Sequence, residues 1–483
     1  MDKLISTLRL RESTSGNDRT SKQQFESDRG RVIFSPAFRR MQSKAQVFSL
    51  ESNAAVRSRL THSLEVAHIG KYIAQKVLQK VTKEGDQQLI KFAENIEPII
   101  ETACFLHDIG NPPFGHLGEE AIKEWFKENS KSLYKKSTGK NIRKDSSRYL
   151  DIANFDGNPQ GLRIALILQG EASKKGLNLT YSQIASLIKY PTTSSEKNEN
   201  YKKFGVFTSE TDDVKKIWNS LGLKWGERHP FVYIMEASDD IAYCLSDIED
   251  GIEKKIISNK EVLDYLKNEF SSLKDKSIKK CIPDSKEQDD IIAPYISFRI
   301  NMINLYVEKA ADIFIESIKN KKFKPTFFEN KKDENDDYSK ALAIIKNYCR
   351  EKLYKSPEAE DIEIAGYNIV HGLLEKFSTL MTLNKDEFKS LVDGRAKGLH
   401  LQNRMFGKLP NKLLQHYKNE TKPKTKNQSE SESELELELE LELELELEWF
   451  CRLQLIIDYI SGMTDDFSLQ FHSLLNGIEI KKL

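Results

Sequence analysis

The stretch Phe105-Leu106-His107-Asp108-Ile109-Gly110-Asn111-Pro112-Pro113-Phe114-Gly115-His116 carries the strongest structural signal in this chain. The apolar residues that lead into it predict a buried helix over residues 96–109, which must end there because glycine and two prolines follow. The adjacent His107 and Asp108 therefore lie close to a helix terminus that opens into a cleft. Imidazole and carboxylate together suit a divalent metal ion that activates water.

Further ligands must come from other helices, because neighbouring helical residues point about 100° apart. We expect a third ligand from His62, which lies on a segment with helically spaced apolar residues. A fourth is expected from Asp239 or Asp240, two acids that interrupt an otherwise apolar helix and need a cation or strong hydrogen bonds there. Singly, each residue is more often a hydrogen-bonded core histidine or a capping aspartate; together they indicate a metal site.

Helical periodicity dominates the rest of the chain, and alternating strand patterns are scarce. The sequence therefore predicts an all-α fold. The clearest helices are expected over residues 65–81, 96–109, 161–168, 230–256, 295–318, 359–377 and 452–460. Loops are expected over residues 129–147, 191–201, 329–337 and 417–433.

A Ser-Glu and then Leu-Glu dipeptide repeat occupies residues 429–448. A period of two suits a strand with all leucines on one face, whereas a helix would spread them around its circumference. We expect a low-complexity insertion that is disordered or loosely extended. The alternatives are an acidic interaction segment or an edge strand at a subunit contact.

Composition excludes few functions. Lysine plus arginine and aspartate plus glutamate number 74 each among 483 residues, so the net charge argues neither for nor against a nucleic-acid partner. The basic clusters at residues 131–148 and 319–324 are typical of exposed loops or helix ends. Five scattered cysteines, a polar N-terminus and the lack of an apolar run near roughly 20 residues predict a soluble cytoplasmic protein with reduced thiols.

Seven segments taken together resemble the HD-domain phosphohydrolases, and more narrowly the deoxyguanosine triphosphate triphosphohydrolases. They are residues 28–48, 57–65, 107–119, 154–160, 189–191, 239–250 and 458–465, and their order and spacing match the family almost from end to end. The resemblance implies an HD-domain helical core with additional C-terminal helices. We expect a metal-dependent catalytic core over residues 1–260 and a helical region over 261–483 that carries the 429–448 insertion, completes the pocket, sets base preference and forms oligomer contacts.

The resemblance implies one divalent metal ion held by His62, His107, Asp108 and Asp239. Asp239 is preferred over Asp240 because it stands four residues before Tyr243, which is the family's spacing. Mg²⁺ or Mn²⁺ is expected, and iron or cobalt also suits these ligands. The implied reaction removes the whole triphosphate from a deoxynucleoside triphosphate, dGTP above all, and leaves the deoxynucleoside and tripolyphosphate.

The resemblance also implies the other site residues. His116 is the expected acid for the leaving 5′-oxygen, with Glu119 one helical turn later to hold it charged. Tyr243 is expected to stack on the deoxyribose. The remaining substrate contacts are Gln46 and Asp247 for the 3′-hydroxyl, and Arg59, Lys189, Tyr190, Lys203 and Asn158 for the phosphates. For Lys203 the alternative is an ordinary solvated surface lysine.

Two other functions stay open at this point. One is an HD phosphohydrolase that acts on a different nucleotide, as a nucleotidase or an alarmone hydrolase, and it would release orthophosphate or pyrophosphate. The other is a nucleotide- or DNA-binding regulator with an inactive site, although every expected ligand and His116 are present. The resemblance further implies a homo-oligomer and allows single-stranded DNA as an effector, with no membrane partner.

Overall fold

The described part of the chain folds into helices joined by turns and longer loops. The computed structural model describes residues 2–13, 18–170, 176–196, 201–283, 293–323, 326–328, 336–422 and 434–478. Within these ranges no strand forms, and extended pairing is limited to the isolated bridges Ala45–Ser58 and Thr193–Val206. The predicted all-α class is confirmed. None of the described helices combines the length and apolar character needed to cross a membrane.

The α-helices are numbered in chain order. The first eleven are α1 Ser21–Ile33, α2 Pro36–Arg40, α3 Arg59–Glu84, α4 Gln87–Ala93, α5 Ile96–Leu106, α6 Gly115–Thr138, α7 Ser147–Ala153, α8 Gly157–Arg163, α9 Tyr181–Leu187, α10 Thr211–Leu221 and α11 Phe231–Glu253. The remaining ten are α12 Asn259–Phe270, α13 Lys276–Lys279, α14 Ala293–Asn320, α15 Asp337–Lys352, α16 Pro357–Met381, α17 Lys385–Val392, α18 His400–Phe406, α19 Asn411–Glu420, α20 Glu434–Ser461 and α21 Asp465–Leu475. Short 3₁₀ turns lie at Asp2–Leu4, Met41–Ser43 and Thr208–Glu210, and a π-helical turn lies at Ile164–Leu168.

Several predicted helix boundaries are wrong by a few residues. Helix α3 begins earlier than predicted because Ser58 and Thr61 form a reciprocal capping box at its start. Helix α5 ends at Leu106, so the His-Asp pair lies in the turn after the helix and not in its last turn. Helix α6 runs to Thr138 through residues predicted as a loop, because Leu133 and Tyr134 bury their side chains on its inner face.

The prediction for the Leu-Glu repeat is wrong where the structure describes it: residues 434–448 form the first half of α20, and residues 429–433 lie outside the described ranges. Leucine and glutamate are both strong helix formers, and glutamate is disfavoured in strands. The buried segment that begins at Trp449 anchors the helix, which then extends back through the repeat. Three successive glutamates of the repeat pair with neighbouring segments, as Glu442–Lys140, Glu444–Lys385 and Glu446–Arg143.

Two hydrophobic cores hold the described helices together. In the first, α3 packs against α5, α11 and α14. In the second, α6 packs against α16, which in turn contacts α20 and α21. Ile109 belongs to the first core and Phe114 to the second, so the turn after α5 crosses from one to the other. The division of the chain at residue 260 stays a prediction.

Candidate active site

Three of the predicted metal ligands meet at one point between α3, α5 and α11. His62 comes from α3, His107 from the turn after α5, and Asp239 from α11. The Asp239 Oδ1 atom lies 3.2 Å from His62 Nε2 and 3.5 Å from His107 Nε2. One ligand atom from each residue lies within 4.8 Å of the others, a spacing that suits a single ion.

The hydrogen bonding of His107 supports a cation at this point. Its Nδ1 donates to the carbonyl oxygen of Cys104 at 2.7 Å, which leaves the lone pair of the neutral ring on Nε2. The buried Nε2 has no hydrogen-bond partner and faces carboxylate oxygens of Asp108 and Asp239 at 3.6 and 3.5 Å. Burial lowers the pKa of His107, but those two carboxylates raise it overall, because they favour positive charge at Nε2. The same negative charge around Nε2 fits a bound divalent ion in place of that proton.

Asp108 lies beside this cluster and is also bound by Arg59. Its Oδ2 accepts from Arg59 Nη1 at 2.6 Å, and its Oδ1 lies 3.6 Å from His107 Nε2. Burial opposes ionisation, yet His107 and Arg59 lower the pKa of Asp108 to about 2. The carboxylate therefore stays charged, with one oxygen held by the guanidinium and the other toward the cluster.

The two adjacent acids of α11 have different surroundings. The Asp239 carboxylate faces the histidines and also pairs with Lys189 at 3.3 Å. The Asp240 carboxylate pairs with Lys346 of α15 at 2.8 Å. The structure thus places Asp239, and not Asp240, beside His62 and His107.

His116 and Glu119 form a hydrogen-bonded pair in the first turn of α6. His116 Nδ1 lies 3.3 Å from Glu119 Oε2, while Glu119 Oε1 accepts from the backbone N–H of Gly157 at 2.8 Å. The bond to Glu119 raises the pKa of His116. The His116 side chain is 81% exposed and the Glu119 side chain 5%, so a buried carboxylate orients an accessible imidazole.

The backbone before this pair is tightly constrained. Phe114 and Gly115 both have left-handed φ angles, 60° and 56°. The left-handed φ favours glycine at 115, and a Cβ atom added there would lie 2.8 Å from Arg59 Nη2 and displace the guanidinium. Helix α6 therefore starts where the Arg59 guanidinium packs against the turn.

The predicted sugar-binding residues include two buried acceptors without partners. Gln46 Oε1 and Asp247 Oδ1 make no hydrogen bond in the described structure. Asp247 Oδ2 accepts from the Tyr354 hydroxyl at 2.5 Å, and burial raises the pKa of Asp247 to about 7. The ring of Tyr243 lies under the Lys346 ammonium group, 5.2 Å from its centroid. Buried unpaired acceptors call for a donor such as a ligand hydroxyl.

The predicted phosphate contacts separate into two groups. Arg59 and Lys189 pair with carboxylates of the metal-ligand cluster. Lys203 and Asn158 both bind Asp156, which caps the start of α8, at 2.9 and 2.6 Å. Tyr190 packs its ring edge-on against Tyr201, with centroids 5.8 Å apart.

Two buried residues that sequence reasoning did not single out hold the turn after α5 in place. Asp465 accepts from the backbone N–H of Phe114 through Oδ1 and of Ala45 through Oδ2, each at 3.0 Å. Lys44 Nζ donates to the carbonyl oxygens of Asn111 and Ser461 at 2.6 and 2.8 Å. Both residues lie within segments that carry the family resemblance. No local pattern in the sequence, however, identifies hydrogen-bond partners that are so distant along the chain.

A helical scaffold that gathers a histidine, a His-Asp pair and a later helical aspartate defines the class of HD-domain phosphohydrolases, and residues 59–157 match the family model described as HD domain. The chain is 34% identical over 500 residues to the deoxyguanosinetriphosphate triphosphohydrolase of Yersinia pestis (strain Pestoides F), with 94% of each chain covered. It is 33% identical over 496 residues to those of Salmonella enteritidis PT4 (strain P125109) and Salmonella schwarzengrund (strain CVM19633), again over 94% of each chain. The chain belongs to the deoxyguanosinetriphosphate triphosphohydrolase family, a family of HD-domain hydrolases, as the sequence motifs predicted.

Proposed function

We propose that this enzyme hydrolyses deoxynucleoside triphosphates, with dGTP preferred, to the deoxynucleoside and inorganic tripolyphosphate. The observation that carries the proposal is the cluster of His62, His107 and Asp239, in which a buried imidazole nitrogen without a partner faces carboxylates. Membership of the family supports the substrate class, because the relatives are named for dGTP.

The cluster residues would hold one divalent ion, Mg²⁺ or Mn²⁺, with iron and cobalt also compatible with the ligands. Asp108 would join them through Oδ1, while Arg59 retains its Oδ2. When bound, such an ion supplies Lewis acidity toward a phosphoryl oxygen and an activated water. The hydrogen bond from His107 to Cys104 keeps the imidazole in the tautomer that leaves Nε2 available.

His116 is proposed as the acid that protonates the leaving 5′-oxygen. It is accessible from the solvent side, and Glu119 raises its pKa so that a larger fraction is protonated near neutral pH. The carboxylate of Glu119 is itself fixed by the backbone of Gly157, so the imidazole is oriented through a chain of hydrogen bonds. Protonation at this point converts a poor leaving group into an alcohol.

The substrate contacts are proposed from the unpartnered polar groups and the cations around the cluster. The 3′-hydroxyl would bind Gln46 and Asp247, whose buried acceptors are then satisfied. The Tyr243 ring against the deoxyribose would leave no room for a 2′-hydroxyl, which rejects ribonucleotides. The proposed phosphate contacts are Arg59, Lys189, Tyr190, Lys203 and Asn158.

The first experiment is product analysis of the purified protein with each of the four dNTPs and with GTP, in Mg²⁺ or Mn²⁺. Deoxynucleoside and tripolyphosphate from dGTP, with GTP spared, is the expected result. Orthophosphate or pyrophosphate as the first product would replace the proposal with another HD phosphohydrolase, and binding without turnover would replace it with a regulator.

The adjacent acids of α11 offer a matched pair of variants. Asp239→Asn should abolish turnover and Mn²⁺ binding, because it removes a carboxylate from the cluster. Asp240→Asn should retain both, because that carboxylate pairs with Lys346 instead. Equal loss in the two variants would contradict the assignment of the metal ligands.

Family membership also supports a homo-oligomer that works in the cytoplasm, with single-stranded DNA as an effector. The five cysteines are all free and buried, which agrees with a reducing compartment. Light scattering tests the oligomeric state, and turnover with and without a single-stranded oligonucleotide tests the effector. A monomer whose rate is insensitive to DNA would contradict both.

A further inference from the structure

A second cavity lies away from the metal-ligand cluster, at the corner between α20 and α21. It has a volume of about 410 Å³ and is bordered by α2, the π-helical turn and the start of α19. Its walls are mainly apolar, with Leu168, Leu413, Met463 and Phe467 among the lining residues. This volume lies in the range of small-molecule sites. None of the proposed metal ligands or substrate contacts lines it.

Two cations at this cavity lack a counter-charge. Arg40 at the end of α2 and Lys412 in α19 both line it, and neither makes an ion pair or a side-chain hydrogen bond with the part of the chain that the structure describes. Burial lowers the pKa of both groups, and the charge of Arg40 lowers that of Lys412 further. Like charges that are half-buried side by side are costly unless something else compensates them.

The one acid at the cavity does not supply that compensation. Both carboxylate oxygens of Asp458 accept from Arg163, and Oδ1 also accepts from Gln160 and Gln454. Buried arginines elsewhere, such as Arg163 and Arg452, are paired with carboxylates. Arg40 and Lys412 therefore differ from these two arginines, and they lie at the wall of a cavity large enough for a ligand.

We propose that this cavity binds an organic anion with an apolar or aromatic body, whose phosphate, sulfonate or carboxylate head lies between Arg40 and Lys412. The head would neutralise two cations that the protein leaves without a partner. The body would occupy the apolar walls near Phe467, where it displaces water from hydrophobic surface. An anion without such a body would bind only weakly.

The cavity is connected to the proposed active site through the segment between α20 and α21. Gly462, Met463 and Thr464 line the cavity, and they lie between Ser461 and Asp465. Ser461 and Asp465 hold the turn after α5 through Lys44 Nζ and the Phe114 N–H. A ligand that shifts this segment would thus change the position of His116. This coupling rests on the proposed function, whereas binding to the cavity does not.

The binding test uses 8-anilinonaphthalene-1-sulfonate, an aromatic sulfonate whose fluorescence rises in apolar sites. Titrations are run in EDTA with excess dGTP, so that the proposed substrate site is filled and no turnover occurs. We expect one dye per chain and at least tenfold weaker binding in the double variant Arg40→Gln, Lys412→Gln. The matched controls Arg39→Gln and Lys418→Gln lie on the same two helices outside the cavity and should stay within twofold of wild type.

Further arms separate a ligand site from a structural role. Naphthyl phosphate or decanoate should displace the dye, and which of them does so distinguishes an aryl phosphate from a fatty acid; inorganic phosphate should not. Melting temperatures of the double variant should equal or exceed that of wild type, because an uncompensated charge pair is removed. Unchanged dye affinity in the double variant, or displacement by inorganic phosphate alone, would overturn the binding proposal.

The coupling is tested separately with the active enzyme. Saturating dye should change kcat or KM for dGTP at least twofold in wild type and in the controls, and the effect should vanish in the double variant. Dye binding at one site per chain with unaltered kinetics would overturn the coupling. A protein that binds the dye but never hydrolyses dGTP would overturn the proposed function and leave the binding result standing.

Discussion

Replacement of Asp465 by alanine tests how the C-terminal segment holds the turn after α5. The buried carboxylate accepts from the backbone N–H groups of Phe114 and Ala45, both at 3.0 Å. Hydrogen bonds to a charged group contribute about 1.5–3 kcal/mol each, and a buried donor left without a partner costs about 1–3 kcal/mol. The buried ammonium group of Lys44 also loses the carboxylate that most favours its positive charge. We expect Asp465→Ala to lower the free energy of unfolding by about 3–5 kcal/mol.

The assay is urea-induced unfolding followed by circular dichroism, with Asp466→Ala as the matched control. Asp466 is exposed and adjacent, so its replacement should change the free energy of unfolding by about 0.5 kcal/mol or less. Because the turn after α5 leads directly into α6 and so positions His116, Asp465→Ala should also lower kcat more than it raises KM. A loss of stability no greater than that of Asp466→Ala would refute the account of how the turn is held.

Four further changes test the site and the repeat. Asp108→Ala should abolish turnover while the far-ultraviolet circular dichroism stays unchanged, and His116→Ala should lower kcat by about 100-fold or more with little change in KM. Glu119→Gln removes the cause of the raised pKa of His116, so that pKa should fall toward its ordinary value and the basic limb of the kcat–pH profile should move to lower pH. Replacement of residues 430–446 by a short Gly-Ser linker should leave kcat intact and lower the melting temperature only slightly. The ion pairs between α20 and its neighbours are exposed, and exposed ion pairs contribute little to stability.

Each of these changes has an outcome that contradicts its premise. Full activity of Asp108→Ala in saturating Mn²⁺ would remove Asp108 from the proposed site. If His116→Ala raises KM and leaves kcat, His116 is a substrate contact and not the acid. An unmoved basic limb in Glu119→Gln would assign that limb to another group. A large loss of kcat in the folded linker variant would mean that the repeat supports catalysis.

The sequence by itself determined the fold class and the family, and it predicted the chemistry of the site, because all three depend on local features. Helical spacing of apolar residues and the scarcity of alternation predicted an all-α chain, and the structure agrees. Gly110, Pro112 and Pro113 predicted that a helix ends just after the His-Asp pair, since these residues cannot continue it, and α5 ends directly before the pair at Leu106. The residue types His and Asp predicted a metal site before any three-dimensional contact was known.

Only the tertiary structure decided which of these residues meet and what holds them. Asp240 forms an ion pair with Lys346 instead of facing the two histidines, and one carboxylate oxygen of Asp108 pairs with Arg59. Asp465 reaches back across most of the chain to cap the turn before α6. The Leu-Glu repeat is helical, although its period of two predicts a strand. Its helix continues into the buried second half of α20, and no local pattern reveals that burial. Local periodicity depends on neighbours in sequence, whereas these contacts depend on packing between elements that are distant along the chain.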